Sequence, residues 1–424
     1  MKLAFITPRY GGEISSGAEH ACRLLAERLS ERNDVDVLTT SARDPNTWKN
    51  EYGEGADRVR GVLVRRFSVS QPHDAGGFRQ WSDRILSAPR SRADEMEWVR
   101  RLGPSAPGLI EHLKRQHRSY DALVFFSLWH LTTVQGLTVA PERSILFPCL
   151  RLSPALRLAL WPDVVSSARA VGLMSGSERR LLRSFLRVGT GHEELVGIGI
   201  EPAHRQAYPR HQQDPADDAV DADRETDADA APPPEDERAD RGVPFRRRHR
   251  LFGPIALYGG RVEPDNGCEE MLEYFDAYAA ADGDTSLVLM GVKMMRVPDE
   301  PYVRQAGVLP DRERMIAYEA ADVTIAPGCD DPLAQSVLES FAVGTPVLAS
   351  ARSDAAVEHI RCANGGLYYA NRDEFIDGLR TLMTRPQLRE QLGESARQYV
   401  QQHCRWDAVL GRFERLVTMV RNRN

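Results

Sequence analysis

The sequence predicts an α/β protein made of two doubly wound domains joined by a biased linker. Three observations carry that prediction. Short apolar or β-branched runs alternate with amphipathic helical stretches in both halves of the chain, the pattern of parallel strands joined by crossover helices. A glycine-bearing loop follows the first strand, at Gly11-Gly12, and Pro254–Gly260 starts a fresh strand in the second half. An acidic, proline-bearing stretch near the middle breaks the pattern and divides the chain in two.

In the amino-terminal half, Lys2–Thr7 reads as a buried first strand and Pro8–Gly12 as a loop. Ala18, Ala21, Leu24, Leu25 and Leu29 then recur at helical spacing from Gly17 to about Arg32, and Val35–Thr39 is the next strand. The loop glycines are not spaced as Gly-x-Gly-x-x-Gly, so no nicotinamide cofactor is expected. Small residues there let a ligand approach the backbone closely. Val62–Val69 alternates as a strand. From Gln71 to Gly108 the chain carries charged helix with Trp81 and Trp98, which reads as solvated surface. Ala122–Ser127, Ser144–Phe147 and Ala168–Met174 are further strands. His130, just past the first of these, is placed to face a cleft. Ser175-Gly176-Ser177-Glu178 before an apolar run is a capping signal. The first domain is set at 1–203.

From His204 to Arg250 the pattern fails. Asp214–Asp240 holds twelve acidic residues against Arg224 and Arg238, together with Pro232-Pro233-Pro234. Such a segment buries too little apolar surface to offset its ordering entropy. A basic cluster, Arg246–Arg250, closes it, and 204–250 is read as a disordered linker with a basic end that stays solvated, touches anionic lipid or touches the acidic insert itself.

Pro254–Gly260 opens the second domain, set at 251–404. Ser286–Met290 is a strand, and Tyr302–Leu309 a strand and loop. Asp322–Ile325 delivers the chain to Pro327-Gly328, after which Val337, Leu338 and Phe341 recur at helical spacing. Gly344 ends that helix and Pro346–Ala349 is the following strand. The loop before the helix sits where open parallel sheets bind ligands, and the first-turn amides of Gln335, Ser336 and Val337 are suited to hold phosphate. Asp331 and Glu339 lie on either side of that helix start and are suited to accept hydroxyls. Three amphipathic helices close the chain, the last at about 405–424.

Composition bounds the function. With 424 residues the chain can bury two or three cores, and a net charge of −6 gives no sign of a nucleic-acid partner. Six scattered cysteines without a Cys-x-x-Cys pair argue against zinc and disulfides and fit a reducing cytoplasm. The amino-terminal apolar run is too short for a signal peptide, and no run approaches the ~20 residues of a membrane helix. A cytoplasmic protein is expected, with room for peripheral contact at a membrane surface.

The stretch Asp331 to Val347, with Gly344-Thr345-Pro346-Val347 at its end, resembles the Glu-x7-Glu signature of retaining, nucleotide-sugar-dependent glycosyltransferases of the GT-B fold, in their large fourth sequence family. Asn364–Tyr369 is similar to the family's following turn and strand. Gly260-Arg261 through Asn266-Gly267 resembles the block in which Arg and Lys clamp the donor diphosphate. The resemblance covers nearly the whole chain except the linker. It implies two Rossmann-like domains facing a central cleft, with the last helix crossing back to the first. It also implies no metal and no cofactor beyond the nucleotide-diphosphate sugar as substrate. Arg261 and the amides near Gln335 and Ser336 would carry the leaving diphosphate, Glu339 the ribose, and Asp331 the transferred sugar. Backbone near Val308 and Leu309 would read the base, while Gly11, Gly12 and Gly17 would border the donor phosphates. The acceptor, a glycan, a lipid-linked or a small molecule, would lie by His130 and Arg151.

The chain departs from the family at three places. Asp331 replaces the expected Glu, and Asn266 stands in the place of the lysine. Pro148-Cys149-Leu150-Arg151-Leu152-Ser153-Pro154 keeps both prolines of a Pro-x-x-His-Asp-Glu-Pro pattern but puts Arg, Leu and Ser between them. Arginine stays protonated and cannot act as a base. Two readings therefore stand: a retaining hexosyltransferase, or a catalytically degenerate binding or scaffold subunit of the same shape.

Overall fold

The computed structural model describes residues 1–14, 17–186, 192–201, 242–328 and 333–421, with two Rossmann-like units. The acidic part of the predicted linker, 204–241, lies outside the described residues.

The first unit, Met1–Gly199 with His403–Asn424, is built on an eight-stranded sheet. Its strands are β1 (Lys2–Ile6), β2 (Asp34–Thr40), β3 (Gly55–Val59), β4 (Val62–Phe67), β5 (Ala122–Phe126), β6 (Ser144–Phe147), β7 (Ala170–Leu173) and β8 (Glu193–Leu195). The spatial order is β3-β4-β2-β1-β5-β6-β7-β8. Every pairing is parallel except β3 with β4. Strands β5, β6 and β7 are buried at every position, as a sheet covered on both faces requires. The winding reverses between β1 and β5, so the loops after those strands flank the switch point.

The segment read as solvated surface forms three helices, Ala75–Leu86, Arg92–Leu102 and Pro107–Gln116. It contributes to the core instead. Trp98 is buried edge-on to Trp161 at 6.3 Å, and Leu109 and Leu113 are fully buried. Charge on the outer faces hid one apolar stripe. The last helix, Trp406–Arg421, places Phe413 against Phe5 and Phe147, with ring centroids 5.9 and 6.1 Å apart.

The second unit, Ile200–Cys329 with Ala334–Gln402, carries an all-parallel six-stranded sheet. Its strands are β9 (Ile255–Gly259), β10 (Ser286–Met290), β11 (Val303–Gly307), β12 (Val323–Ala326), β13 (Val347–Ser350) and β14 (Gly366–Tyr369), in the order β11-β10-β9-β12-β13-β14. Here the reversal falls between β9 and β12. Gly344 ends the helix Gln335–Val343 in the left-handed conformation, φ +84°, where a side chain is strained.

The described end of the predicted linker is a helix, Val243–Arg248, so this unit begins before residue 251. Phe245 is buried among Leu251, Ile255 and Met315, and it anchors the helix. Two of the basic residues are paired: Arg246 donates to Gly253 O (2.9 Å) and to Asp322 Oδ2 (3.1 Å), and Arg248 donates to Glu313 (2.7 Å). None of the described helices is long and apolar enough to cross a membrane.

Candidate functional site

In the second unit, parallel neighbours β9 and β12 bring their carboxyl ends to one edge of the sheet. The loop after β9 holds Arg261, exposed and paired with Glu263 at 2.8 Å. Its backbone is fixed from three sides, since the Arg261 carbonyl accepts from Tyr258 Oη (2.7 Å), Asn266 Nδ2 (2.9 Å) and Cys268 Sγ (3.8 Å). Asn266 also donates to Glu263 Oε1 at 3.1 Å. Its amide thus closes its own loop. Gly267, φ +71°, passes so close to β12's loop that a Cβ would stand 2.8 Å from Pro327 O.

A second cation stands beside Arg261. The loop after β10 runs against Val262, whose N–H donates to Val292 O (2.8 Å) and whose carbonyl accepts from Met294 N–H (2.9 Å). Lys293 lies between those two bonds, exposed, and among the described residues no carboxylate pairs with it. The backbone places Lys293 next to Arg261's loop, where its charge can stand in for the lysine absent at position 266.

After β12 the helix Gln335–Val343 begins behind Ala334, a non-glycine residue held at φ +45°. Such strain costs about 1 kcal/mol and persists only where the surroundings impose it. Gln335 and Ser336 are half-buried at the helix start. Val337 N–H donates to Ala334 O at 3.0 Å, so its amide is engaged within the turn, contrary to the expectation from sequence.

Glu339 is buried, and three donors meet its carboxylate. Arg314 Nε donates to Oε2 (3.2 Å) and Nη2 to Oε1 (2.9 Å), while Gln335 Nε2 donates to Oε1 (2.8 Å). Arg314, from the helix Asp311–Ala320, also donates to Asp311 at 2.7 Å. Burial alone would lower the guanidinium's pKa, but the Glu339 and Asp311 carboxylates outweigh it and hold it above its ordinary value. Sequence reasoning missed Arg314 entirely. Val308 is exposed and Leu309 half-buried just past β11. Asp331 lies outside the described residues.

In the first unit, Gly11 and Gly12 follow β1. A Cβ on Gly11 would meet Tyr52 Oη at 2.5 Å, whereas Gly12 is exposed. Gly17 opens the helix Gly17–Ser30. Nearby, Arg9 and Glu19 form a buried pair at 3.0 Å. His130 caps the helix Leu131–Leu137 beyond β5, with Nδ1 2.9 Å from Ser127 Oγ and its ring edge-on to Trp48 at 5.8 Å. Burial pushes its pKa down to about 4; Glu19 opposes this, while Arg9 and Arg151 reinforce it. Arg151, exposed beyond β6, is thus close enough for its charge to act on the imidazole. Ser127 (φ +73°) and Cys149 (φ +50°) are left-handed non-glycine residues at the ends of β5 and β6.

The β6 loop is tied down by Glu178, another residue whose role the sequence did not reveal. Ser175 caps the helix Gly176–Leu181, accepting from Glu178 N–H at 3.2 Å. The Glu178 carboxylate itself is fully enclosed and accepts from Leu150 N–H (2.9 Å) and Met174 N–H (2.7 Å). Burial pushes its pKa up to about 7 despite those bonds.

Two doubly wound sheets, parallel throughout except at the β3–β4 edge, each gather loops at a switch point, as Rossmann-like α/β units do. Residues 245–399 match the sequence model of the family described as glycosyl transferases group 1. That match falls on the second sheet and its helices, and the chain has the GT-B fold. A GDP-mannose-dependent α-(1-6)-phosphatidylinositol dimannoside mannosyltransferase of Mycobacterium tuberculosis is 29% identical over 31% of this chain and 36% of its own length. The chain's match thus spans little more than a third of that relative. Among solved structures, a sucrose-phosphate synthase from Thermosynechococcus elongatus aligns with a TM-score of 0.66 at 18% identity, covering 99% of this chain and 98% of its own. HepE of Anabaena, in complex with UDP and glucose, gives 0.65 at 13% identity over 99% of each chain. WaaG, a glycosyltransferase involved in lipopolysaccharide biosynthesis, gives 0.58 at 14% identity over 98% of this chain and 99% of its own. At these identities the likeness is one of fold.

Proposed function

We propose that this chain transfers a hexose from a nucleoside-diphosphate donor to an acceptor, with retention at the anomeric carbon. One observation carries the reading: Arg261, Lys293 and the start of the helix Gln335–Val343 share the carboxyl edge of the second sheet. Cations and helix-start amides at one edge suit the charge that develops on a departing diphosphate. Glu339 holds a ribose hydroxyl, Asp331 the sugar ring, and the backbone by Val308 and Leu309 the base. The family match covers this same region, HepE's complexes contain UDP or UDP-glucose, and the mannosyltransferase is named for GDP-mannose. The reaction is metal-independent and uses no enzyme nucleophile. The acceptor, whether glycan, lipid-linked or small molecule, is held by the first unit near His130 and Arg151, in a cytoplasmic or membrane-surface setting.

Calorimetric titration with UDP and with GDP tests the donor site. One of them binds, and Arg261→Ala weakens it by about tenfold or more, the worth of a charge-assisted hydrogen bond. A folded wild-type protein that binds neither overturns the proposal. The scaffold reading is favoured by Arg151 in place of a base and by the closed Asn266 amide. Donor binding without nucleotide release, acceptors present, would establish it.

A further inference from the structure

We infer that Arg314 is a positioning residue which, with Gln335, leaves Glu339 able to accept only one ribose hydroxyl. The inference rests on the donor site proposed above and extends it to what that site can distinguish.

An ionised carboxylate offers about four lone-pair positions. On Glu339, Oε1 receives Arg314 Nη2 and Gln335 Nε2, and Oε2 receives Arg314 Nε. Three positions are filled by protein donors, and one on Oε2 is left. The clamp is rigid for two reasons. A guanidinium fork meets both oxygens at once, which fixes the plane of the carboxylate. Arg314 is itself held by Asp311 at 2.7 Å, one turn earlier in its helix. A carboxylate free to rotate can take the 2′- and 3′-hydroxyls together; one held in this plane reaches a single hydroxyl with a single oxygen. The same contacts pair the buried Glu339 carboxylate with an opposite charge at 2.9 Å. Arg314 is assigned its role through Glu339, the carboxylate it holds.

The test compares UDP, 2′-deoxy-UDP and 3′-deoxy-UDP by calorimetry, or the guanine series if GDP is the binder. In the wild type one deoxy analogue loses about tenfold in affinity and the other stays within about twofold. In Gln335→Ala, which keeps Arg314 and opens a position on Oε1, the second analogue also loses affinity. In Arg314→Lys, a point donor replaces the fork, Glu339 turns more freely, and the ratio between the two analogues collapses. Equal losses for both analogues in the wild type, no loss for either, or an unchanged ratio in Arg314→Lys overturns the inference. Failure of both parent nucleotides to bind the wild type overturns the donor site itself, and that result is distinct from the others.

Discussion

Glu178 gives the sharpest quantitative test of how the first unit is held together. Its carboxyl pKa is pushed from an ordinary 4.5 to about 7 by burial, which outweighs the amides of Met174 and Leu150 donating to it. In the unfolded chain the group ionises near 4.5, so between the two values the folded state binds more protons than the unfolded one. Stability must then fall as pH rises through that window. At 1.36 kcal/mol per pH unit the penalty reaches about 3 kcal/mol above pH ~7 and vanishes below pH ~4.5. Because the group is fully enclosed, solvent screening does not reduce it.

The perturbation is Glu178→Gln, which removes the titration and keeps the shape. Other groups titrate in the same range, so the useful quantity is the difference between the two proteins' urea unfolding free energies at each pH. The wild type should lose about 3 kcal/mol relative to Glu178→Gln on going from pH 4.5 to pH 8. The substitution carries its own constant cost, about 1–3 kcal/mol, because the amide NH2 faces a backbone donor. That offset does not change with pH. Parallel profiles would refute the argument that burial dominates, and a difference of opposite slope would show that the two amide bonds win.

Two further outcomes are expected. His130, held down to about 4 chiefly by burial, should show neutral-imidazole chemical shifts down to about pH 5 by NMR. Its contribution to stability is present above 6.5 and lost as pH falls toward 4, the reverse of Glu178, and His130→Phe should remove that slope from acid unfolding curves. Phe413→Ala should cost about 3–5 kcal/mol in urea unfolding, because the ring fills fully buried space between Phe5 and Phe147.

What the sequence disclosed and what it hid follow from the range of the interactions involved. Strands such as Ala122–Phe126 and Val347–Ser350 are legible because continuous apolar runs need only local information. The helix ending at Gly344 is legible because its stop signal is a backbone conformation. Arg314 was hidden. It sits in the charged run Asp311-Arg312-Glu313-Arg314, and only the packing of one helix on another selects it over Arg312 to meet a carboxylate 25 residues away. Glu178 was half legible. Its place in a capping signal was readable, but its carboxylate bypasses the cap to hold Leu150, 28 residues earlier. The helix Val243–Arg248 escaped because a single apolar residue, Phe245, anchors it inside a basic run. Hydrophobic periodicity cannot register one residue.

The departures at Asn266 and at Arg151–Ser153 have different physical weight. Coulombic stabilisation of a diphosphate depends on where a charge stands and not on which chain position supplies it. Lys293, between Val292 and Met294 whose backbone bonds both go to Val262, offers a cation beside Arg261's loop without a lysine at 266. Proton transfer or orientation of an acceptor is directional, and a guanidinium at 151 cannot substitute for an imidazole. The first departure is therefore compatible with donor binding, while the second bears on the reaction. Lys293→Ala should weaken nucleoside-diphosphate binding by about tenfold with little change in the rate at saturating donor. Arg151→Ala should leave the dissociation constant within about twofold and change turnover alone. Titration calorimetry and donor-saturated nucleotide release separate the two effects. If Lys293→Ala binds donor as tightly as the wild type, the displaced-cation argument fails. If Arg151→Ala loses donor affinity by the same factor as Lys293→Ala, the two departures belong to one function.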